Sequence, residues 1–188
     1  LTVGCLILLS GALHEDGLAD CADGFFGGAT RERKLDIMRD SQIGTFGALA
    51  LVLSVYVRAA SLASIADESL GLAATVLIGA AALSRSAALI PLALLPPARQ
   101  DGAGFAAGKP EPVALGTAAC LALVFALAPI AAGSGLARTI LAIAVATGAA
   151  YATVPLAKKH IGGQTGDVAG AAQQLSEIAF YLAFAARF

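Results

Sequence analysis

The sequence is poor in charge. Asp, Glu, Lys and Arg make up only 13% of its 188 residues, whereas roughly a quarter of the residues of an ordinary soluble domain are charged. Hydrophobic residues make up 58% and the mean hydropathy is +0.81, so too little polar surface remains to cover a water-soluble globule. The composition excludes a secreted disulfide scaffold, a disordered tail and a typical cytosolic enzyme, and it predicts a polytopic membrane protein.

An excess of basic residues is also missing. The formal net charge is −1, which excludes a basic nucleic-acid-binding protein, so we expect no nucleic acid among its partners. The three cysteines are widely spaced and fit no zinc-binding pattern. Membrane lipid is the partner that the composition predicts.

The chain does contain apolar runs long enough to cross a bilayer, which takes about 20 residues in a helix. They cover 43–65, 70–95, 112–132, 136–156 and 168–186. Runs of this length exclude the alternating strands of a membrane barrel and leave helices. We interpret the shorter run 1–13 as the end of a spanning helix whose beginning is missing, so the chain is expected to be a truncated piece. The prediction is a single all-α membrane domain over 1–188, a polytopic helical bundle of about six spans with the first one truncated.

Basic residues concentrate in alternate connections between these runs. The connections 29–42, 98–111 and 157–167 hold eight of the twelve Lys and Arg residues, whereas 66–69 and 133–135 hold none. The positive-inside rule places the basic connections in the cytoplasm. We therefore expect a multi-pass protein of the cell (inner) membrane with its active site facing the cytoplasm.

The most charged segment, 14–42, lies on that cytoplasmic side and is expected to be catalytic. Asp16, Asp20 and Asp23 stand at i, i+4 and i+7, so they share one face of a helix. Carboxylates one turn apart repel each other unless a cation lies between them, and hard oxygen ligands suit Mg²⁺ or Mn²⁺. The alternative is a solvated acidic helix end, which explains poorly the small and apolar residues at the other positions.

A second acidic pair, Asp36 and Asp40, stands at i, i+4 in a segment with interleaved basic residues. Leu35, Ile37 and Met38 are typical of a short amphipathic helix in the membrane interface. The basic residues suit a phosphorylated anion held beside a metal. A surface helix with Glu–Arg pairs is the alternative.

The connection 157–167 is predicted to be a cytoplasmic, Gly-rich substrate loop. It brings Gly163, Thr165 and Asp167 together just before an apolar run. Backbone N–H groups at the start of such a helix can hold phosphate. An ordinary loop with an N-cap residue fits this pattern equally well.

Some charged residues fall inside the predicted spans, where they are costly and usually face the interior of a bundle. Arg85 lies near the middle of its run, and Glu177 lies in the last run close to Gln173. We expect both charges to face the polar interior, with a pair between them as one arrangement. Arg58 is nearer a helix end and is expected to extend its guanidinium group to the interface.

Three blocks of the sequence resemble the cobalamin synthase family, whose members are adenosylcobinamide-GDP ribazoletransferases. They are HEDGLADCADGFFGG at 14–28, KLDIMRDSQIGTFG at 34–47 and IGGQTGDVAGAAQQLSEI at 161–178, about a quarter of the chain. The resemblance implies that a ribose hydroxyl of α-ribazole, or of its 5′-phosphate, attacks the cobinamide-linked phosphorus of adenosylcobinamide-GDP and that GMP leaves. It also implies a requirement for Mg²⁺ and a site at the cytoplasmic face of the membrane.

Such a displacement needs charge neutralisation, activation of the hydroxyl and in-line positioning. The expected Mg²⁺ ligands are Asp16, Asp20, Asp23 and Asp36. Asp40 is the expected general base, although the roles of Asp36 and Asp40 are interchangeable. Arg39 and Arg85 are expected to stabilise the charge on the leaving phosphate. The expected substrate-binding residues are Ser41, Gly163, Thr165, Asp167, Gln173 and Glu177.

Two other functions stay open at this point. The acidic pattern is also similar to that of the CDP-alcohol phosphotransferases, although two phenylalanines stand where that signature has Ala-Arg and the spacing between its acidic parts is shorter here. An ion-coupled transporter is the second alternative, but transporters often have repeated halves and midplane sites, and no internal repeat is visible. A homo-oligomer stays open as well.

Overall fold

The computed structural model describes residues 1–186, which form α-helices, one short 3₁₀-helix at Ala128–Ala132 and their connections, without a β-strand. This confirms the all-α class. The helices are α1 Thr2–Leu9, α2 Leu13–Gly27, α3 Arg31–Ile37, α4 Thr45–Glu68, α5 Leu70–Ala87, α6 Leu89–Leu94, α7 Gly102–Ala107, α8 Pro112–Ala126, α9 Leu136–Ile161 and α10 Gly166–Ala185.

Four helical stretches are long and apolar enough to cross a membrane. They are Thr45–Glu68, Leu70–Leu94, Pro112–Ala132 and Leu136–Ile161. They agree with four of the predicted runs and with a membrane bundle, while the predicted count of about six spans is not confirmed. The first run forms only the short α1, and the last forms α10, which differs from the four spans in composition.

Helix α10 is the centre of the bundle. It packs against α2, α4, α5 and α9, and most of its residues are buried. Because these neighbours surround it, α10 can carry Gln173, Gln174 and Glu177 without exposing them to lipid. The same polar residues lower its hydropathy, which explains why its composition differs from that of a lipid-facing span.

The apolar core lies on one side of α10. Phe180 and Phe184 are fully buried against Val76 of α5 and against Ala142 and Ala146 of α9. Small residues let helices approach closely, and in lipid this packing replaces the hydrophobic drive between helices. The large rings of α10 therefore fill the space that the alanines leave.

A charged network lies inside the bundle and joins three helices. The Arg58 side chain on α4 is 1% exposed, and its Nη2 lies 3.0 Å from Glu15 Oε1 of α2. Its Nη1 lies 3.3 Å from Glu177 Oε1 of α10. Gln174 Nε2 donates to Glu15 at 3.0 Å and Gln173 Nε2 donates to Glu177 at 2.7 Å. Arg58 thus links α2 to α10.

This network corrects two predictions. Arg58 does not extend to the interface, and it is Arg58 rather than Arg85 that pairs with Glu177. The Arg85 side chain is exposed, and its Nη1 donates to the Ala81 carbonyl oxygen at 3.0 Å. A buried cation pairs with the acids at its own depth, and that depth depends on how the helices are arranged in space.

The basic connections lie at one end of the bundle, where α3 ties them together. Helix α3 forms as the expected short helix, and Arg31 at its start donates to the carbonyl oxygens of Ile161 at 2.8 Å and Ala98 at 2.7 Å. Because α9 continues through Ile161, the loop predicted over 157–167 is reduced to 162–165. These contacts hold α3, the end of α9 and the connection after α6 at one end of the bundle.

Replacing Arg58 with Met tests the network. The variant leaves Glu15 and Glu177 buried without their cation, and breaking a buried pair in this way costs about 3–5 kcal/mol. We expect that loss in the free energy of unfolding, measured by denaturant titration in detergent micelles. Arg33→Met, on the exposed surface of α3, is the control and should change it by less than about 0.5 kcal/mol. Equal effects of the two variants would contradict the account.

Candidate active site

The backbones of α2 and α10 touch at two glycines. A Cβ atom on Gly17 would lie 2.8 Å from the Asp167 carbonyl oxygen and 3.2 Å from Gly170 Cα. A Cβ atom on Gly170 would lie 3.3 Å from Gly17 Cα. Since these distances are too short for a larger residue, the glycines permit the approach that brings the acidic face of α2 to the N-terminus of α10.

The loop before α10 is held rigidly. Gln164 N donates to the Pro96 carbonyl oxygen and Ala98 N donates to the Gln164 carbonyl oxygen, both at 2.8 Å. A Cβ atom on Gly163 would overlap the Pro96 carbonyl oxygen, so a glycine is required there. This geometry gives Gly163 a packing role. Its role in substrate binding stays a prediction.

Thr165 and Asp167 form the start of α10. The Thr165 hydroxyl accepts a hydrogen bond from Val168 N at 3.3 Å, which is an N-cap contact. The same hydroxyl lies 3.1 Å from Asp167 Oδ2. The cap thereby orients the Asp167 carboxylate at the helix start.

A cavity of about 230 Å³ opens beside this helix start, between α2, α6, α7 and α10. Its polar lining includes His14, Asp16 and Asp167, and Leu92 and Ala103 are among its apolar residues. Asp16 on α2 and Asp167 on α10 therefore face one space.

The site has an excess of negative charge. Burial and the charges of Asp16, Asp167 and Asp23 raise the pKa of Asp20 from 3.8 to about 7, against the lowering effect of Arg99. Burial also raises the pKa of Asp167, which Arg99 and the Thr165 hydroxyl partly oppose. A divalent cation would relieve this repulsion.

Comparison with known proteins agrees with the resemblance seen in the sequence. A family model described as cobalamin-5-phosphate synthase matches residues 1–185. The chain belongs to this family. A relative from Azorhizobium caulinodans, named adenosylcobinamide-GDP ribazoletransferase, is 51% identical over 182 residues, which are 97% of this chain and 69% of the relative.

Relatives with the same name show the same extent of similarity. The one from Allorhizobium ampelinum is 47% identical over 94% of this chain and 68% of its own length. The one from Brucella anthropi is 46% identical over 95% of this chain and 69% of its own length. No solved structure matches the chain. Membership of the cobalamin synthase family makes the chain a transferase of cobalamin biosynthesis.

Asp23, an expected metal ligand of this synthase, caps α4 in the structure. Its carboxylate is buried and accepts hydrogen bonds from Gly44 N at 2.7 Å and Gly47 N at 2.9 Å. Two backbone donors at a helix N-terminus stabilise a carboxylate well. Asp23 therefore fixes α4 against α2.

The second acidic pair lies on the exposed surface. Asp36 and Ser41 are exposed, and Asp40 Oδ1 accepts a hydrogen bond from Gln42 N at 3.0 Å. Among the described residues 1–186, no group of three or more His, Cys, Asp and Glu side chains is arranged to hold a metal ion. The structure thus does not bring the four expected ligands into one cluster.

The end of α3 nevertheless reaches the site through a chain of charges. Arg39 Nη2 donates to both carboxylate oxygens of Asp101, at 2.6 and 2.7 Å. Asp101 also lies 3.3 Å from Arg99 Nε, and Arg99 Nη2 donates to Asp167 at 3.4 Å. Arg39 and the adjoining Asp40 are therefore tied to the connection that borders the start of α10.

The remaining expected site residues divide between two depths. Arg85 is close enough to lower, together with burial, the pKa of His14 in the cavity. Gln173 and Glu177 belong instead to the buried network around Arg58. Glu177 lies ten residues along α10 from Asp167, or about 15 Å at the helical rise, so these two side chains lie below the cavity.

Sequence reasoning missed Glu15 and Arg99. Glu15 directly precedes Asp16 but lies outside the face shared by Asp16, Asp20 and Asp23, and its burial depends on α4 and α10 packing around it. Arg99 was counted only among the basic residues of a connection. Its nearness to Asp167 depends on the backbone bridge between the two loops, for which the sequence carries no pattern.

Replacing Asp20 with Asn tests the charge excess through pH. The pKa of about 7 in the folded protein exceeds the value of 3.8 expected without the fold, so the folded state binds the proton more tightly. The contribution of Asp20 to the free energy of unfolding must then fall as pH rises from about 4 to about 7. In detergent with EDTA, Asp20→Asn should raise the melting temperature at about pH 8 and leave it unchanged at about pH 4.

The exposed Asp67 at the far end of α4 provides the control. The melting temperature of Asp67→Asn should stay close to that of the wild type at both pH values. A melting temperature of Asp20→Asn at or below that of the wild type at high pH would refute the raised pKa of Asp20.

Proposed function

We propose that this chain joins adenosylcobinamide-GDP to α-ribazole, or to its 5′-phosphate, in the last step of cobalamin nucleotide-loop assembly. The products are adenosylcobalamin, or its phosphate, and GMP. Support comes from the description of the matching family and from the name of the chain's relatives. Family membership also favours this reaction over the lipid phosphotransferase and transport alternatives.

One observation carries the proposal at the level of the site. The carboxylates of Asp16 and Asp20 face the start of α10 beside a cavity that Asp16 and Asp167 both line. A diphosphate substrate needs charge neutralisation at the place where it is held. This arrangement supplies carboxylates for a cation and a helix N-terminus for an anion.

Asp16 and Asp20 are the residues that would hold Mg²⁺. Mg²⁺ in phosphate-transfer sites is often bound by one or two carboxylates, with water and substrate phosphate completing its shell, so a cluster of three protein ligands is not needed. Burial and the repulsion of neighbouring carboxylates raise the pKa of Asp20, and a bound cation would offset both effects. When bound, Mg²⁺ would neutralise charge on the diphosphate. Asp23 and Asp36 stay proposed as further ligands.

The reaction forms a bond between the ribose oxygen of α-ribazole and the cobinamide-linked phosphorus, and it breaks the bond from that phosphorus to the oxygen of GMP. The hydroxyl proton goes to a general base, for which Asp40 stays the proposal, interchangeable with Asp36. Thr165 and Asp167 position the substrate at the start of α10. Arg39, Arg85 and Ser41 are proposed to contact the phosphate groups from the rim.

The proposed location is the cytoplasmic face of the cell membrane. The site lies at the bundle end where α9 finishes and α4 and α10 begin, and this end carries the eight basic residues of the connections. The positive-inside rule supports a cytoplasmic position for it. Soluble, phosphorylated substrates would then reach the site directly from the cytoplasm.

Turnover by purified protein tests the proposal. With adenosylcobinamide-GDP, α-ribazole and Mg²⁺, the wild type should release GMP only when both substrates are present. Asp16→Asn and Asp20→Asn remove carboxylates that would hold Mg²⁺ beside the transferred phosphoryl group, so kcat should fall about 100-fold or more. Asp67→Asn, at the opposite end of α4, should retain near-normal kcat.

Each result has a clear consequence. Absence of GMP release by the folded wild type would refute the proposed reaction. Near-normal kcat of Asp16→Asn and Asp20→Asn at limiting Mg²⁺ would refute the assignment of the metal to α2.

A further inference from the structure

Arg99 lies in the connection between α6 and α7, beside the start of α10. Its side chain is 15% exposed and lies between two acids. Nε is 3.3 Å from Asp101 Oδ1, and Nη2 is 3.4 Å from Asp167 Oδ2. Both distances are at the long end of the hydrogen-bond range, so neither acid holds the guanidinium group tightly.

The third guanidinium nitrogen is free. Nη1 of Arg99 is buried and has no hydrogen-bond partner among residues 1–186. A buried donor without an acceptor costs about 1–3 kcal/mol, and a charged one costs more. An acceptor supplied by a ligand would remove this cost.

The surroundings of Arg99 determine the kind of ligand. Its charge acts on Asp20 and on Asp167, lowering the pKa of both carboxyl groups against the effect of burial. Arg99 therefore lies within electrostatic reach of the proposed metal site. The planar fork of a guanidinium group matches two oxygens of one phosphate group.

Three other cations at this end of the bundle already have short contacts. Arg31 donates to two backbone carbonyl oxygens at 2.7 and 2.8 Å. Arg39 donates to both oxygens of one exposed carboxylate at 2.6 and 2.7 Å. Lys34 donates to a backbone carbonyl oxygen at 2.6 Å. Arg99, with its long contacts and its free nitrogen, is better placed to accept a new partner.

We propose that Arg99 binds the diphosphate of the substrate, exchanging its long contact with Asp167 for two hydrogen bonds to phosphate oxygens. The identity of the ligand rests on the proposed function. Arg99 is then a catalytic residue. It makes the main contact to the phosphate groups, and the contacts of Arg39 and Arg85 are secondary. The exchange also frees the Asp167 carboxylate.

Direct binding of inorganic pyrophosphate with Mg²⁺ tests this assignment without turnover. Isothermal titration calorimetry on detergent-purified protein would compare the wild type with Arg99→Gln and Arg99→Lys. Loss of a charge-assisted contact should raise Kd about 10-fold or more in Arg99→Gln. Arg99→Lys keeps the charge but not the fork, so its Kd should rise by a smaller factor.

Lys109→Gln is the matched control, because it removes one positive charge from an exposed position between α7 and α8, at the same end of the bundle. Its Kd should stay within about twofold of the wild-type value, since a screened surface charge contributes little. Melting temperatures of all variants would be measured first. Should Arg99→Gln fail to fold, the more conservative variant Arg99→Lys decides the question.

The outcomes separate this inference from the proposed reaction. If Arg99→Gln loses pyrophosphate binding but the wild type releases no GMP, the Arg99 assignment stands and the proposed reaction fails. If the wild type releases GMP but Arg99→Gln and Arg99→Lys bind pyrophosphate like Lys109→Gln, the Arg99 assignment is overturned. Absence of pyrophosphate binding by the wild type, or a larger effect of Arg39→Gln, would also overturn it.

Discussion

The candidate site depends on the close contact between α2 and α10. Gly17 and Gly170 bring the two backbones so near that a single added Cβ atom would meet the opposite helix. This contact sets the acidic face of α2 against the capped start of α10. Without this contact, the N-terminus of α10 and Arg99 would not lie beside Asp16 and Asp20. Nothing would then offset the repulsion between the two carboxylates.

The buried charges keep these helices in register. Arg58 lies between Glu15 on α2 and Glu177 on α10. Glu15 directly precedes Asp16 in sequence, and Glu177 lies about 15 Å along α10 from Asp167. A pair that is costly to bury is also costly to break. The molecule therefore has two polar levels, an internal one that fixes the helices and one at the end of the bundle, beside the start of α10.

Much of this arrangement was predictable from the sequence, and the failures have physical reasons. Apolar length predicted about six spans and correctly located the four spanning helices of the structure. Helical spacing placed Asp16 and Asp20 on one face. Spacing does not reveal which side chains meet another helix, so the contacts by which Asp23 caps α4 could not be predicted from it. Likewise, the partner of Glu177 depends on the depth of each helix in the bundle, and the choice of Arg85 over Arg58 was wrong.

A crystal structure with Mn²⁺ and inorganic pyrophosphate would test the central claim most directly, because anomalous scattering locates Mn²⁺ without ambiguity. The account predicts a peak bound by the carboxylates of Asp16 and Asp20, with the pyrophosphate between this ion and the start of α10. A peak on Asp36 and Asp40 alone, or a pyrophosphate bound away from α10, would contradict it.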